Sequence, residues 1–397
     1  MFPFKLSENI YYVGVNDRKT ELFERMIPLH HGVSYNSYLI VDEKVVLFDT
    51  VEASFAEESL LKIKNALNDR TIDYLVIHHI EPDHTSGIKQ YFAQYPDLQI
   101  ICNKKSAEML EGFYDISQNL VIVEDRAEMK IGAHELQFIF APMVHWPEVM
   151  MTYEKTEKIL FSADAFGCFC TCDGAVIDKN LNVEKHIEEM YRYYANIVGK
   201  YGLPVQNILK KLSDYQIDMI CSLHGPVWQE NIKKVMKIYD KLSRHEGENG
   251  IVIVYGSMYS HTELMAEAVA RGAAEVTKNV ILHDLSKVDI SQIITDCFRY
   301  KTLIFGCPTY NGSIFPKMQQ VINYLELRGL KNRIFGSFGS FTWAGMAAKT
   351  INAFAEKMQY ENIGSVEVKQ SMKMADYEKL LELGRAAGKK IGISKFV

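Results

Sequence analysis

The stretch Tyr74-Leu75-Val76-Ile77-His78-His79-Ile80-Glu81-Pro82-Asp83-His84-Thr85-Ser86-Gly87 decides how this chain is to be read. Tyr74 to Ile77 is an apolar, β-prone run that predicts a buried strand. Ile88 to Tyr95 predicts a short helix. The polar cluster between them therefore sits at the carboxyl end of a strand, where layered α/β folds leave a crevice for ligands. His78, His79, Glu81, Asp83 and His84 are all metal-ligand types, and Pro82 stiffens the backbone that carries them.

Ligand-type residues also close other apolar runs. His145 lies in Pro142-Met143-Val144-His145-Trp146-Pro147-Glu148. Asp164 ends Leu160-Phe161-Ser162-Ala163-Asp164, and His224 ends Ile220-Cys221-Ser222-Leu223-His224. Taken singly, each would more often be a satisfied structural residue. Together, all ending strands, they can gather along one sheet edge into a binuclear metal site. His78 points to the opposite face of an extended run and reads as a packing or supporting residue. Tyr193 and Tyr194 read as helix core, with a pocket role as the lesser alternative.

The remaining pattern of the first half is mixed. Strands are predicted at Tyr11 to Val15, Tyr35 to Val41, Lys44 to Asp49, Gln99 to Cys102, Leu120 to Glu124 and Lys158 to Ser162. Helices are predicted at Ala53 to Leu67 and Ser106 to Tyr114, with one long helical region from Val183 to Tyr215. Ile217 to Leu223 is a further strand. The polar, glycine-bearing stretch 244–250 predicts a domain junction, placing one domain at 1–248 and a second at 249–397. Beyond it, strands at Ile251 to Gly256, Val280 to Leu285, Thr302 to Gly306, Arg333 to Gly336 and Gly364 to Val368 alternate with helices. The helices fall at 261–276, 316–327, 344–358 and 376–391. Such alternation predicts a doubly wound, five-stranded parallel sheet.

Three loops of the second half are suited to a ligand that carries a phosphate and a flat ring. Ser257-Met258-Tyr259-Ser260-His261-Thr262 opens a helix, where hydroxyls and backbone N–H groups face an anion at the positive helix end. Cys307-Pro308-Thr309-Tyr310-Asn311-Gly312 follows the third strand, and Ser337-Phe338-Gly339-Ser340-Phe341-Thr342-Trp343-Ala344-Gly345 the fourth. Strands 1 and 3 flank the switch point of such a sheet. Tyr310 or Trp343 can stack on a flat ring.

Composition sets outer bounds. The chain has 397 residues, 48% hydrophobic and 24% charged, which suits two or three globular domains. A net charge of −6 gives no reason to expect nucleic acid or an anionic membrane as partner. The first residues lack a signal-peptide pattern, no apolar run reaches membrane-spanning length, and a cytoplasmic location is expected. The 7 cysteines are odd in number, scattered and without a C-x-x-C pair, so neither a disulfide framework nor a rubredoxin-type module is expected. Cys168, Cys170 and Cys172 read as reduced thiols packed in a loop.

The order of metal motifs resembles the metallo-β-lactamase superfamily, with H-x-H-x-D-H followed by a distant His, Asp and His. Glu81 replaces the second histidine, and His79-x-Glu81-x-Asp83-His84 is similar to the H-x-E-x-D-H of flavodiiron proteins. The flavin loops resemble that family's S-M-Y-G-N-T, P-T-Y-N and glycine- and aromatic-rich third loop. They depart at Ser260-His261 and at Ser340-Phe341-Thr342. The resemblance spans the chain and implies an αββα lactamase-like domain followed by a flavodoxin-like one.

It further implies two irons: His79, Glu81 and His145 would hold one, Asp83, His84 and His224 the other, with Asp164 bridging. FMN would feed electrons to this pair, which reduces O2 to water or NO to N2O. A head-to-tail homodimer, or a dimer of dimers, is implied as well. With the chain ending at Val397, a separate electron donor is expected, rubredoxin or a reduced deazaflavin coenzyme. Two other readings are a binuclear zinc hydrolase with a regulatory flavodoxin domain, and an electron-transfer flavoprotein with a vestigial metal domain.

Overall fold

The computed structural model describes residues 1–392. The chain divides into two compact units: Met1–Tyr194 with Leu203–Asp240, and Ala195–Gly202 with Lys241 onward.

In the first unit, a seven-stranded sheet runs in the order Phe4–Lys5, Ile10–Tyr12, Tyr38–Val41, Val45–Phe48, Tyr74–Val76, Gln99–Cys102, Leu120–Ile122. Pairing is antiparallel as far as Val45–Phe48 and parallel beyond it. A second sheet orders Glu128–Lys130, Glu135–Phe140, Met150–Glu154, Ile159–Phe161 and Met219–Cys221, the last pair parallel. Phe48 of the first sheet stacks on Phe161 of the second with ring centroids 4.0 Å apart. Both lie in a buried cluster shared by the two inner faces. The outer face of the first sheet packs on helices Ala56–Leu67, Ile88–Gln94 and Lys104–Tyr114. Each of these helices turns an apolar stripe inward, as the sequence period requires. This is the expected αββα sandwich.

Within the first unit, the Tyr74–Val76, Glu135–Phe140, Ile159–Phe161 and Met219–Cys221 strands each lead straight into a segment bearing ligand-type residues. The long helical region expected from Val183 to Tyr215 is broken instead. Helix Val183–Tyr193 passes into a wide π turn at Tyr194–Val198, a short 3-10 turn at Gly199–Tyr201, and helix Gly202–Leu212. Gly199 and Gly202 weaken the helical run here. A Cβ on Gly202 would lie 2.4 Å from the Ser243 carbonyl oxygen, so this close approach needs glycine. Arg328 Nε donates to the Ala195 carbonyl and Nη2 to that of Asn196, which ties the π turn into the second unit.

The second unit holds a parallel sheet ordered Val280–Asp284, Glu248–Tyr255, Tyr300–Tyr310, Ile334–Phe341, Glu361–Lys369. In chain order this is 2-1-3-4-5, the flavodoxin-like arrangement with its switch point beside the first strand. The junction expected at 248/249 falls at the start of the first strand. Helix Ile290–Arg299, capped by Asp289, was not anticipated. Its segment, Ile290-Ser291-Gln292-Ile293-Ile294-Thr295, is β-branched and polar, so helix propensity was a weak guide.

Candidate metal centre and flavin cavity

All seven ligand candidates converge in the first unit. One group comprises His79, Glu81, His145 and Asp164, and another Asp83, His84 and His224; within each, the candidate ligand atoms lie within 4.8 Å of one another. His145 Nε2 is 3.1 Å from Glu81 Oε2 and 3.2 Å from Asp164 Oδ2. His79 Nε2 is 3.1 Å from the same Glu81 oxygen. Asp164 turns its other oxygen to the second group, with Oδ1 3.2 Å from His84 Nε2 and 3.6 Å from His224 Nε2. Asp83 Oδ2 lies 3.3 Å from both of these nitrogens. Asp164 thus faces both groups at once.

Two imidazoles are set by bonds on their far nitrogens. His79 Nδ1 lies 2.7 Å from Glu148 Oε1, and His224 Nδ1 lies 2.8 Å from the Ser34 carbonyl oxygen. Donation of Nδ1–H in each leaves Nε2 free to face the centre. Phe23, Tyr35 and Tyr193 set their rings against His224, at 5.7, 6.0 and 5.5 Å between centroids. Tyr193 is fully buried, and its hydroxyl has no hydrogen-bond partner among the described residues. His78 is also buried, its ring bonded to Asp49 and Thr152 and stacked on Phe48, a supporting role.

The donor set fits metal ions. Both Asp83 oxygens, Asp164 Oδ1, His84 Nε2 and His224 Nε2 are buried without an aligned hydrogen bond. Polar atoms rarely remain so unless an ion satisfies them. Burial pulls the pKa of His145 down, but bonds to Asp164 and Glu81 outweigh it and carry it up to about 9. Burial likewise opposes His84, which the Asp83 charge and the Asp164 contact raise to about 8. Glu81 and Asp164 are held below the usual carboxylate range by the histidines, against the penalty of burial. Four imidazoles and three carboxylates form a hard, anionic set suited to iron.

The second unit contains a cavity of about 570 Å³ at the carboxyl ends of its strands. The first two flavin loops line it, Ser260 and Cys307 excepted, and so do Trp343 and Ala344 of the third. Trp343 is 88% exposed and Tyr259 83%, leaving both rings free at the mouth. Thr309 Oγ1 accepts the Met346 and Ala347 backbone N–H groups, so the second loop caps the helix that follows the third. Thr262 and Ser340 pair their hydroxyls at 2.8 Å.

Ser260, Ser337, Phe338, Gly339 and Gly345 do not line this cavity. The fourth strand runs on to Phe341 rather than ending at Gly336, which puts residues 337–339 inside the sheet. There the Ser337 hydroxyl donates to Asn352 Oδ1 and lies 2.9 Å from the Ser365 hydroxyl, and Phe338 is fully buried. Gly345 packs beside the Glu367 carboxylate. The wall instead takes Ser340, Phe341 and Thr342, together with Gln370 and Ser371, which the sequence reading missed. Their position just past the fifth strand was the available signal.

A parallel sheet with a flavin-sized cavity, joined to an αββα sandwich holding a binuclear carboxylate–imidazole centre, defines a metalloflavoprotein. Comparisons agree. Residues 33–225 match the ODP family beta lactamase, and residues 253–384 match flavodoxin. The anaerobic nitric oxide reductase flavorubredoxin of Escherichia coli is 32% identical over 393 residues, covering 97% of this chain and 81% of the relative. The rubredoxin oxygen:oxidoreductase of Desulfovibrio gigas superposes with a TM-score of 0.93 at 27% identity, covering 98% of each chain. The flavodiiron protein of Giardia intestinalis gives 0.93 at 28%, covering 98% of this chain and 97% of that one. The chain belongs to the flavodiiron protein family, whose cofactors are FMN and two iron ions.

Proposed function

We propose that this protein is an oxidoreductase that reduces O2 to water, NO to N2O, or both, drawing electrons through FMN. The observation that carries the reading is Asp164, whose two carboxylate oxygens face separate groups of ligand-type residues. When bound, FMN stores the incoming electrons and the iron pair supplies the redox centre at which the small gas is reduced.

The chain's own residues do the rest. Glu148 and the Ser34 carbonyl fix His79 and His224 so that each offers Nε2. His79, Glu81 and His145 would hold one ion, and Asp83, His84 and His224 the other. Phe23, Tyr35 and Tyr193 crowd His224, which limits water around the second group. In the second unit, the hydroxyl- and glycine-bearing loops would hold the flavin phosphate, with Tyr310 and Trp343 beside the ring.

A rubredoxin-type donor, with reduced deazaflavin as the other source, a homodimer or dimer of dimers, and a cytoplasmic place belong to the same proposal. The rubredoxin in the names of two relatives supports the donor, and the family resemblance supports the deazaflavin alternative and the dimer. Among the described residues, no helix is long and apolar enough to cross a membrane. The test is metal and flavin content of anaerobically purified protein, followed by O2 and NO consumption with reduced rubredoxin. Iron and FMN with gas turnover support the reading. Zinc without turnover would overturn it in favour of a hydrolase.

A further inference from the structure

Helix Lys104–Tyr114 supplies none of the ligand-type residues, yet both of its ends reach the segments that carry or hold them. Asn103 caps its start. Its Oδ1 accepts the Ser106 backbone N–H at 3.0 Å, which leaves Nδ2 to donate to the Glu148 carbonyl oxygen at 2.6 Å. Ser106, Leu110 and Tyr114 follow at spacings of four and so share one helix face. Tyr114, the last helical residue, sets its hydroxyl 2.8 Å from Thr85 Oγ1.

Proton counting gives the direction of these bonds. Thr85 is fully buried, and its Oγ1 lies 2.8 Å from the Ile80 carbonyl oxygen and 3.0 Å from that of Glu81. Its single hydroxyl proton goes to these carbonyls, so the Tyr114 phenol donates to Thr85. The Ile80 backbone N–H is held separately by Glu148 Oε1, the same oxygen that fixes His79. The stretch His79-Ile80-Glu81 is thus gripped through Thr85 and through Glu148. Both grips are anchored on one helix, their anchors about 16 Å apart along its axis. A rigid helix holding both anchors fixes the two ligands of that stretch relative to each other.

Resting on the metal-centre reading above, we infer that helix Lys104–Tyr114 is the brace that sets the ligand geometry of the first ion, with Asn103 and Tyr114 as its positioning residues. Full-length protein loaded with Co(II) is followed by its visible ligand-field spectrum and by chelator competition, for wild type, Tyr114→Phe, Asn103→Asp and Leu110→Val. Tyr114→Phe deletes only the hydroxyl, and Asn103→Asp keeps the cap acceptor but loses the donor to Glu148. Each should weaken metal binding by roughly tenfold and shift the ligand-field bands. Leu110 is buried in the core on the same face of the helix. Leu110→Val should lower the urea midpoint of the protein while leaving the spectrum unchanged and the affinity within about twofold. A wild-type spectrum and affinity in both Tyr114→Phe and Asn103→Asp would overturn the proposal. An equal change in Leu110→Val would also overturn it, because the helix would then act through stability alone. Wild-type protein that takes up no Co(II) would overturn the metal-centre reading itself, and this proposal with it.

Discussion

His79 presents its Nδ1 to Glu148 Oε1 at 2.7 Å, and that same oxygen accepts the Ile80 backbone N–H at 3.0 Å. One carboxylate oxygen thus fixes both the imidazole and the backbone of the segment that carries Glu81. Removing it should loosen the first ion's ligands without touching any of them. Glu148→Ala is expected to lower metal affinity by about ten- to a hundredfold, whereas Glu148→Gln keeps an acceptor and should lower it less. Competition with a chelator, read by metal content, checks the order.

Asp164 belongs to one ligand group and turns Oδ1 to the other, so its loss should not be confined to one ion. Asp164→Ala is expected to empty both positions, while His145→Ala leaves the Asp83, His84 and His224 group able to retain metal. Metal analysis of the two variants, prepared side by side, distinguishes these patterns.

Metal binding should also release protons. Without metal, His145 at about 9 and His84 at about 8 hold their protons at neutral pH, against about 6.5 for a free histidine. Their contribution to the metal-free fold is fully present below about pH 6.5 and is lost as pH rises through 8 to 9. Apparent metal affinity should therefore climb over the same window, because ligation needs the neutral ring. Metal titration in weak buffer, with pH recorded, should show acidification; none at pH 7 would contradict this.

Away from the centre, buried His134 pairs with Asp42, Nδ1 lying 2.6 Å from Oδ2. Burial lowers the His134 pKa, but the Asp42 contact and the nearby Glu154 and Glu157 carboxylates outweigh it, so the pKa is raised. Asp42, against its own burial, is lowered by bonds from His134. The His134 part is present below about pH 6.5 and fades as pH rises through its raised value; the Asp42 part fades as pH falls through its lowered one. His134→Gln should cost about 1 kcal/mol near pH 5.5 and less above pH 8. Urea denaturation at the two pH values measures the difference.

Arg333 is buried in the second unit, and its guanidinium donates to five backbone carbonyls, of His245, Cys297, Phe298, Lys331 and Asn332. Two of these acceptors close helix Ile290–Arg299, joining it to the residues that enter the sheet. Arg333→Met should cost about 3 kcal/mol, because several carbonyls lose their donor at once. A matching drop in the urea midpoint is the expected result.

Much of this was legible in the chain. A polar residue closing an apolar run is a local signal, and it picked out His79, Glu81, Asp83, His84, His145, Asp164 and His224 before any contact was known. The five-stranded parallel sheet followed from strict strand–helix alternation, and most cavity residues from their place just after a strand, whereas the 2-1-3-4-5 order came only with the structure. Weaker local signals failed: the fourth strand continues through Ser337, Phe338 and Gly339 because neighbouring strands pair with them, whatever the glycines suggest. Likewise, the π turn at Tyr194–Val198 interrupts what reads as one helix.

By itself, the sequence determined which residue types stand at the strand ends and in what order, since apolar periodicity and its interruption are properties of neighbouring residues. Tertiary structure alone decided that Asp164 faces both ligand groups, that Glu148 holds His79 from 69 positions away, and that Gln370 and Ser371 join the cavity wall. Those relationships arise where separate strand ends and loops are packed together, and residues far apart in the chain carry no local mark of the partner they will meet.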